Sequence, residues 1–564
     1  MMWKNDAFAA FYLDPYAAAV EKALFGFSSE DVVGRVWRRD WTVWKPVDDG
    51  IGNRLNWLEA PWSMAGQVPG LEAWAEALRQ AGFRTAVVLG MGGSSLAPEV
   101  FATMFPTEPG WLDLIVLDTT APDAIHRVRA GLKPATTVFL VSSKSGTTAE
   151  TTALLNSFYQ WTADRLGGAN AGRHFIAVSD PGSPLEALGR TLGFRSFVAG
   201  DPAIGGRFSA LSPFGLAPAA LKGLALERLL AGAAEMARAC GQTNIHENPG
   251  AVLGAIIGVL GLGGRNKLSL VLPPAWRGLG AWLEQLIAES TGKEGRGILP
   301  VCESAFDSPE LMSRDRLFVI ISAPGDETDV RVRSALVAGA VPHILLPLRE
   351  PYALGRQFFL WEMAVALAGR LLGVNPFDQP NVEATKRRTR EVLAAGPDAE
   401  SGGIEEVAAD GPEDVVEAEL IAFLGGVGPG DYVGLQAFID PDERVEGELE
   451  RFRVAIRDAF RLAVTAGFGP RFLHSTGQLH KGDRGQGLFL QLVGEPVRDL
   501  EIPAIPGSPA PAPSFGKLID AQARGDWLAL RDAGRRILRI DLDRDPAAGL
   551  ARLTRLVQRM RRGR

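Results

Sequence analysis

The chain opens with an aromatic-rich leader carrying Trp37, Trp41, Trp44, Trp57 and Trp62, and then settles into a repeating grammar. A helical segment, LEAWAEALRQAGF, runs straight into the apolar run TAVVLG, and LDLIVLD, TTVFLVSS and HFIAVSD follow, each succeeded by a stretch with helical character. The runs are apolar throughout rather than alternating. That predicts strands buried on both faces, and the helices between them predict a parallel sheet. LSLVLP, RLFVIISA and HILLPL repeat the pattern around the helix GLGAWLEQLIAES and a helix near 330–338. The apolar, Gly-rich stretch from Ala251 to Leu262 falls short of the ~20 residues that cross a bilayer and predicts a buried helix.

A third region follows an acidic stretch, 397–417, whose lack of large apolar residues predicts a linker. YVGLQAFI, a helix from about Glu448 to Ala466, and LFLQLV predict a β-α-β unit, with PAIPGSPAPAP expected as an exposed extended loop. At 564 residues more than one core is required. The expected class is α/β: a leader, 1–70, packed on the core, a first parallel-sheet domain at 71–240, a second at 241–396, the linker at 397–417, and a C-terminal α/β region at 418–564.

Composition narrows the partners. Hydrophobic residues at 46% and charged residues at 22% describe an ordinary folded protein. Fifty-nine basic against sixty-six acidic residues give a net charge of −7, which disfavours nucleic acid. Cys240 and Cys302, far apart, suit neither a disulfide framework nor a CxxC metal site, and the opening MMWKNDAFAAFYLDPY has no apolar run of signal-peptide length. A reducing, cytoplasmic setting without a membrane partner is expected.

The chemistry gathers after two of the predicted strands. TAVVLG ends in Gly90-Met91-Gly92-Gly93-Ser94-Ser95, and TTVFLVS ends in Ser143-Lys144-Ser145-Gly146-Thr147-Thr148. In a parallel α/β sheet, ligands bind outside the carboxyl ends of the strands, where free helix N–H groups attract an anion. Hydroxyl-rich loops with little charge suit a phosphate monoester that must be released again; the alternative is that the hydroxyls only cap helices. GMGGSS lacks GxGxxG spacing and no GK[ST] follows either loop, which disfavours a nucleotide.

These residues resemble a known family. Gly90–Ser95 looks like the GIGGS motif of glucose-6-phosphate isomerases and Ser143–Thr151 like their SKTFTTxET loop. Gly205–Ser209 (GGRFS) resembles GGR[YF]S, Glu289–Lys293 (ESTGK) resembles ESNGK, and Asn375–Lys386 (NPFDQPNVEATK) resembles NPFDQPGVExxK. The five occur in family order over roughly residues 85 to 390. With its tail motif GPRFLHSTGQLHK (469–481), the chain is most similar to the isomerase half of bacterial transaldolase–glucose-6-phosphate isomerase fusions. The resemblance implies two sugar-isomerase (SIS) domains with flavodoxin-like, doubly wound sheets and an active site between them. It implies interconversion of glucose 6-phosphate and fructose 6-phosphate through a cis-enediolate, without cofactor or metal. A homodimer, and association with a separate transaldolase, are the implied partners besides the sugar phosphate. A dual phosphoglucose/phosphomannose isomerase and a non-catalytic phosphosugar-sensing SIS regulator are the alternatives; the regulator would need none of the charged groups assigned next.

By resemblance, and by its place at the end of the predicted strand ILPVC, Glu303 is expected as the proton-shuttling base, with Glu289 as its rival. The usual GExGTN turn is absent: the chain reads CESAFD. Arg207, behind two glycines, is expected to stabilise the enediolate, since its charge needs no proton transfer. By resemblance Lys386 assists ring opening and Gln379 touches the sugar. Phosphate contacts are expected from Gly93, Ser94, Ser143, Ser145, Thr147 and Thr148, with Lys144 contributing its backbone N–H. Many family members carry a ring-opening histidine in an AHxxGG[VI]P-like segment, whereas here 334–342 reads SALVAGAVP. His343, His474 and His480 are the substitutes, with His480 favoured.

Overall fold

The computed structural model describes residues 7–303, 312–323, 327–395, 404–508 and 512–563. The leader contributes a strand of its own, β1 (Ala10–Tyr12), and buries Trp44 and Trp57 in the central core. The Trp44 indole N–H donates to the Ala366 carbonyl at 2.7 Å.

The first unit holds β2 (Thr85–Gly90), β3 (Asp113–Leu117), β4 (Thr137–Ser142), β5 (Phe175–Ser179) and β6 (Ser196–Ala199). All run parallel in the order β3-β2-β4-β5-β6, the flavodoxin-like winding that the family resemblance implied. β6, whose run SFVA is short and half-buried, is an addition to the predicted set. The chain leaves β2 for β3 on one side and returns to β4 on the other, so the winding reverses between β2 and β4. Ligand crevices open at such a reversal.

In the second unit, β7 (Lys267–Val271), β8 (Leu299–Glu303), β9 (Arg316–Ser322) and β10 (His343–Pro347) form a parallel set in the order β10-β9-β7-β8. β1 pairs antiparallel on the β10 edge. The apolar stretch forms the buried helix Pro249–Leu262, capped by the Asn248 side chain.

The third unit is a five-stranded parallel sheet of β11 (Glu406–Ala408), β12 (Tyr432–Phe438), β13 (Ala463–Phe468), β14 (Gly487–Val493) and β15 (Arg536–Asp541), ordered β11-β15-β14-β12-β13. Two expectations change here. The predicted helix to Ala466 is Glu443–Phe460; Arg461 turns left-handed at φ 55° and AVTAGF becomes β13. The stretch expected as a linker contains β11 and the first residues of the helix Glu413–Gly425, its part up to residue 403 lying outside the described residues. The Pro-rich insert is half-exposed to exposed over its described residues 503–508, as expected, with Asn156 donating to the carbonyls of Pro503 and Ala504 at its start; 509–511 lie outside the described residues. No described helix is long and apolar enough to cross a membrane.

Candidate active site

The crevice between β2 and β4 is built by backbone packing. Gly92 has φ +56°, and a Cβ on Gly93 would lie 2.0 Å from the Gly206 carbonyl oxygen, so the two glycine loops meet main chain to main chain. That contact brings Arg207 to the crevice. The side chain is 5% exposed, and its guanidinium donates to the carbonyls of Pro376, Phe377 and Asp378, with its shortest bond 2.9 Å long. Burial pulls its pKa down, against the charges of Glu289 and Asp378.

Glu289 projects from the helix Arg277–Thr291, its Oε1 3.3 Å from Arg207 Nη2. Its other oxygen accepts from Gln285 Nε2 at 3.0 Å, and the same amide donates to the His474 carbonyl at 2.8 Å. Lys293, just past that helix, donates to the carbonyl and carboxylate of Asp378 at 2.7 and 2.6 Å. Burial, then the charge of Arg207, pulls its amine down to about 8. The 375–381 loop is thus gripped by two cations.

His474 comes from the short turn Arg471–His474 of the third unit. Its Nε2–H donates to Glu150 Oε1 at 3.1 Å. Burial pushes the imidazole down, but the charge and hydrogen bond of Glu150 outweigh it, so His474 sits above the ordinary histidine value. Glu150 in turn is held below the usual carboxylate range in spite of burial, chiefly by His474 and more weakly by Lys386. It stands in the first turn of Ala149–Leu166, where the helix dipole also favours an anion.

Leading into that helix, the hydroxyl loop does not spend itself on capping. Thr148 occupies the cap position without capping; instead Ser143 pairs with Thr148 and Ser145 with Thr147, each at 3.0 Å. The Ser94 hydroxyl makes no hydrogen bond among the described residues. The crevice therefore combines a carboxylate against a permanent cation, a proton-carrying imidazole on a second carboxylate, and a cradle of neutral donors.

A family model described as phosphoglucose isomerase matches residues 73–297. The glucose-6-phosphate isomerase of Carboxydothermus hydrogenoformans is 31% identical over 398 residues, 60% of this chain and 85% of that protein. The chain belongs to the glucose-6-phosphate isomerase family. The isomerase of Symbiobacterium thermophilum is 30% identical, covering 57% of this chain and 82% of its own. Among solved structures, a hypothetical protein from Thermus thermophilus superposes with a TM-score of 0.58 at 26% identity, over 68% of this chain and 99% of that one. A glucose-6-phosphate isomerase from Chlamydia trachomatis gives 0.57 at 19% identity over 68% and 88%, a likeness of fold alone.

Within the glucose-6-phosphate isomerase family's motifs, several expected residues lie elsewhere. Glu303 does end a strand, β8, but its carboxylate is fully buried in a direct ion pair with Arg316, with Arg453 at 3.6 Å and Arg457 at 3.7 Å. That is the junction with the third unit, and among the described residues none of Glu303's ion pairs or hydrogen bonds is with Arg207 or the hydroxyl loop. The residues after it, 304–311, lie outside the described set.

His480 packs between Phe472 and Phe489, with Nδ1 facing Gln436. Burial, then Lys481 and Arg535, pushes it far below the ordinary value, so it is neutral and sealed away from the crevice. His343 bonds the Val341 carbonyl and stacks on Tyr12 at the start of β10. Lys144 turns its amine to Asp180, 2.6 Å away, and to the Asp201 carbonyl, leaving only its backbone to the loop. Lys386 is half-exposed and paired with Glu383 at 2.7 Å, close enough to Glu150 and His474 for its charge to act on both. Gln379 is exposed in the loop that Arg207 grips. Glu150 and Gln285 carry positions that sequence reasoning passed over. Glu150 was inside the quoted loop motif; Gln285 stands one helical turn before Glu289, on the same face.

Proposed function

We propose that this chain interconverts glucose 6-phosphate and fructose 6-phosphate in the cytoplasm, and that Glu289, not Glu303, is the base. The observation that carries the reading is the buried Glu289 carboxylate 3.3 Å from Arg207, beside the hydroxyl loop. Ser94, Ser143, Ser145, Thr147 and Thr148, with the backbone N–H groups that open Ala149–Leu166, hold the phosphate. Gly93 lets the chain approach the sugar, and Gln379 contacts it.

His474, holding its proton on Glu150, exchanges a proton with the ring oxygen and the anomeric hydroxyl, with Lys386 supporting the developing charge. Glu289 takes the C2 proton of the open aldose. The electron pair forms the C1–C2 double bond of the enediolate, whose negative charge faces the guanidinium of Arg207. The proton on O2 passes to O1, and return of the Glu289 proton to C1 then leaves C2 as the carbonyl of the ketose and regenerates the carboxylate. A phosphosugar sensor would need none of the Glu289, Arg207 and His474 arrangement.

The test is purified protein with fructose 6-phosphate, product glucose 6-phosphate being oxidised by a coupling dehydrogenase. Turnover supports the reading, and its absence in folded protein overturns it. The homodimer, and association with a separate transaldolase, belong to the same proposal. Sedimentation of the chain alone, and with transaldolase added, tests each.

A further inference from the structure

Glu150 Oε1 accepts two hydrogen bonds, from His474 Nε2 at 3.1 Å and from Gln522 Nε2 at 2.8 Å. Gln522 is 3% exposed and belongs to the helix Phe515–Asp532 of the third unit. Its amide oxygen accepts from the Thr120 hydroxyl at 2.7 Å. An ionised carboxylate only accepts, so the NH2 end must face Glu150 and the oxygen end must face Thr120. The amide has one satisfied orientation. On the imidazole that shares Glu150, Nδ1 makes no hydrogen bond among the described residues.

We infer that Gln522 is a positioning residue for ring opening: it holds Glu150 so that the proton of His474 stays on Nε2 and Nδ1 is left for the substrate. The inference rests on the isomerase reading above and deepens it. A neutral donor suits this place, because a cation would compete with the imidazole for the carboxylate. One helical turn further on, Asp526 of the same helix accepts from Thr385 at 3.2 Å and from Lys481 at 2.6 Å. The segment bearing Lys386 is therefore anchored on the same support.

The experiment compares wild type, Gln522→Leu and Gln522→Glu on fructose 6-phosphate and on 5-deoxyfructose 6-phosphate, which lacks the hydroxyl that closes the furanose ring. Gln522→Leu should lower kcat on fructose 6-phosphate about 10- to 100-fold with KM little changed, the scale of a small misplacement, while the open-chain analogue keeps its rate. Gln522→Glu sets a second carboxyl beside Glu150, and such a pair shares a proton more tightly. That side chain donates only when protonated, so its deficit should shrink as pH falls from about 8.5 to about 6, whereas that of Gln522→Leu should not. The other charges near Glu150, those of His474, Lys386 and, beyond His474, Glu289, and Asp526 on Gln522's own helix, are common to both variants.

Equal losses on both substrates, a pH-independent deficit in Gln522→Glu, or no loss at all would overturn the inference while leaving an active wild type as an isomerase. A wild type inactive on fructose 6-phosphate would overturn the functional reading itself and this inference with it. Should Gln522→Leu unfold, the pH response of Gln522→Glu decides alone.

Discussion

Glu289 and Glu303 are both buried carboxylates set against arginine, and their surroundings leave them with opposite capacities. Glu289 meets one guanidinium at 3.3 Å and one neutral amide, in a crevice rimmed by hydroxyls and backbone donors. Glu303 is enclosed by Arg316, Arg453 and Arg457 and bonded to Ser269, where the second sheet meets the third unit. A proton acceptor needs a free approach and a charge that is not already saturated. One arginine tunes a carboxylate; three arginines turn it into a rivet. Position at a strand end does not separate the two cases, but the number of partners does.

The sharpest way to break the comparison is to neutralise each carboxylate in turn. Glu289→Gln should cut turnover about 10²- to 10⁴-fold with inhibitor binding nearly intact. Steady-state kinetics beside the affinity for 6-phosphogluconate checks this, and near-normal turnover would remove Glu289 as the base. Glu303→Gln should leave turnover per folded molecule within about twofold but cost about 3–5 kcal/mol, because three guanidiniums lose their counter-charge in a dry junction. A lowered thermal midpoint with unchanged kcat is the expected result.

A smaller effect follows from the cradle. Ser145→Ala with Thr148→Val should raise KM for either sugar phosphate at least about tenfold and change kcat less, since the phosphate is held equally in ground and transition states.

The smallest concerns Glu284, the residue before Gln285 on the helix that joins the two regions. Burial lifts its carboxyl from 4.5 to about 7, although the hydrogen bond with Cys302 lowers it. A group raised by folding adds stability that is full below its unfolded value and is lost as pH rises through the folded one. The thermal midpoint should therefore decline between about pH 5 and pH 8 in wild type, and less so in Glu284→Gln.

Strand runs such as TAVVLG and TTVFLVS were legible because both faces are covered, so apolarity is continuous, and the loops that follow them announce an anion site by composition alone. β13 was not legible. AVTAGF continues the apolar spacing of the helix before it, and only the left-handed turn at Arg461 separates the two. His474 and His480 stand in one polar motif six positions apart, and no local feature tells which imidazole meets a carboxylate; Glu150, brought in by the first sheet, decides it. The same holds for Gln522, an ordinary polar residue of an amphipathic helix until Thr120 and Glu150 are placed around it.

The Glu150 carboxylate is joined by partners 324 and 372 positions further along the chain. At roughly 5–20 residues per second of synthesis, about 20–75 s pass between the emergence of Glu150 and that of Gln522. Until His474 emerges, 324 positions after Glu150, a nascent chain has its phosphate cradle and, later, its base, but no imidazole with which to open a ring; the amide that positions Glu150 comes later still. The proposed ring-opening step thus waits for the third unit to leave the ribosome, because both groups that complete the Glu150 cluster belong to it.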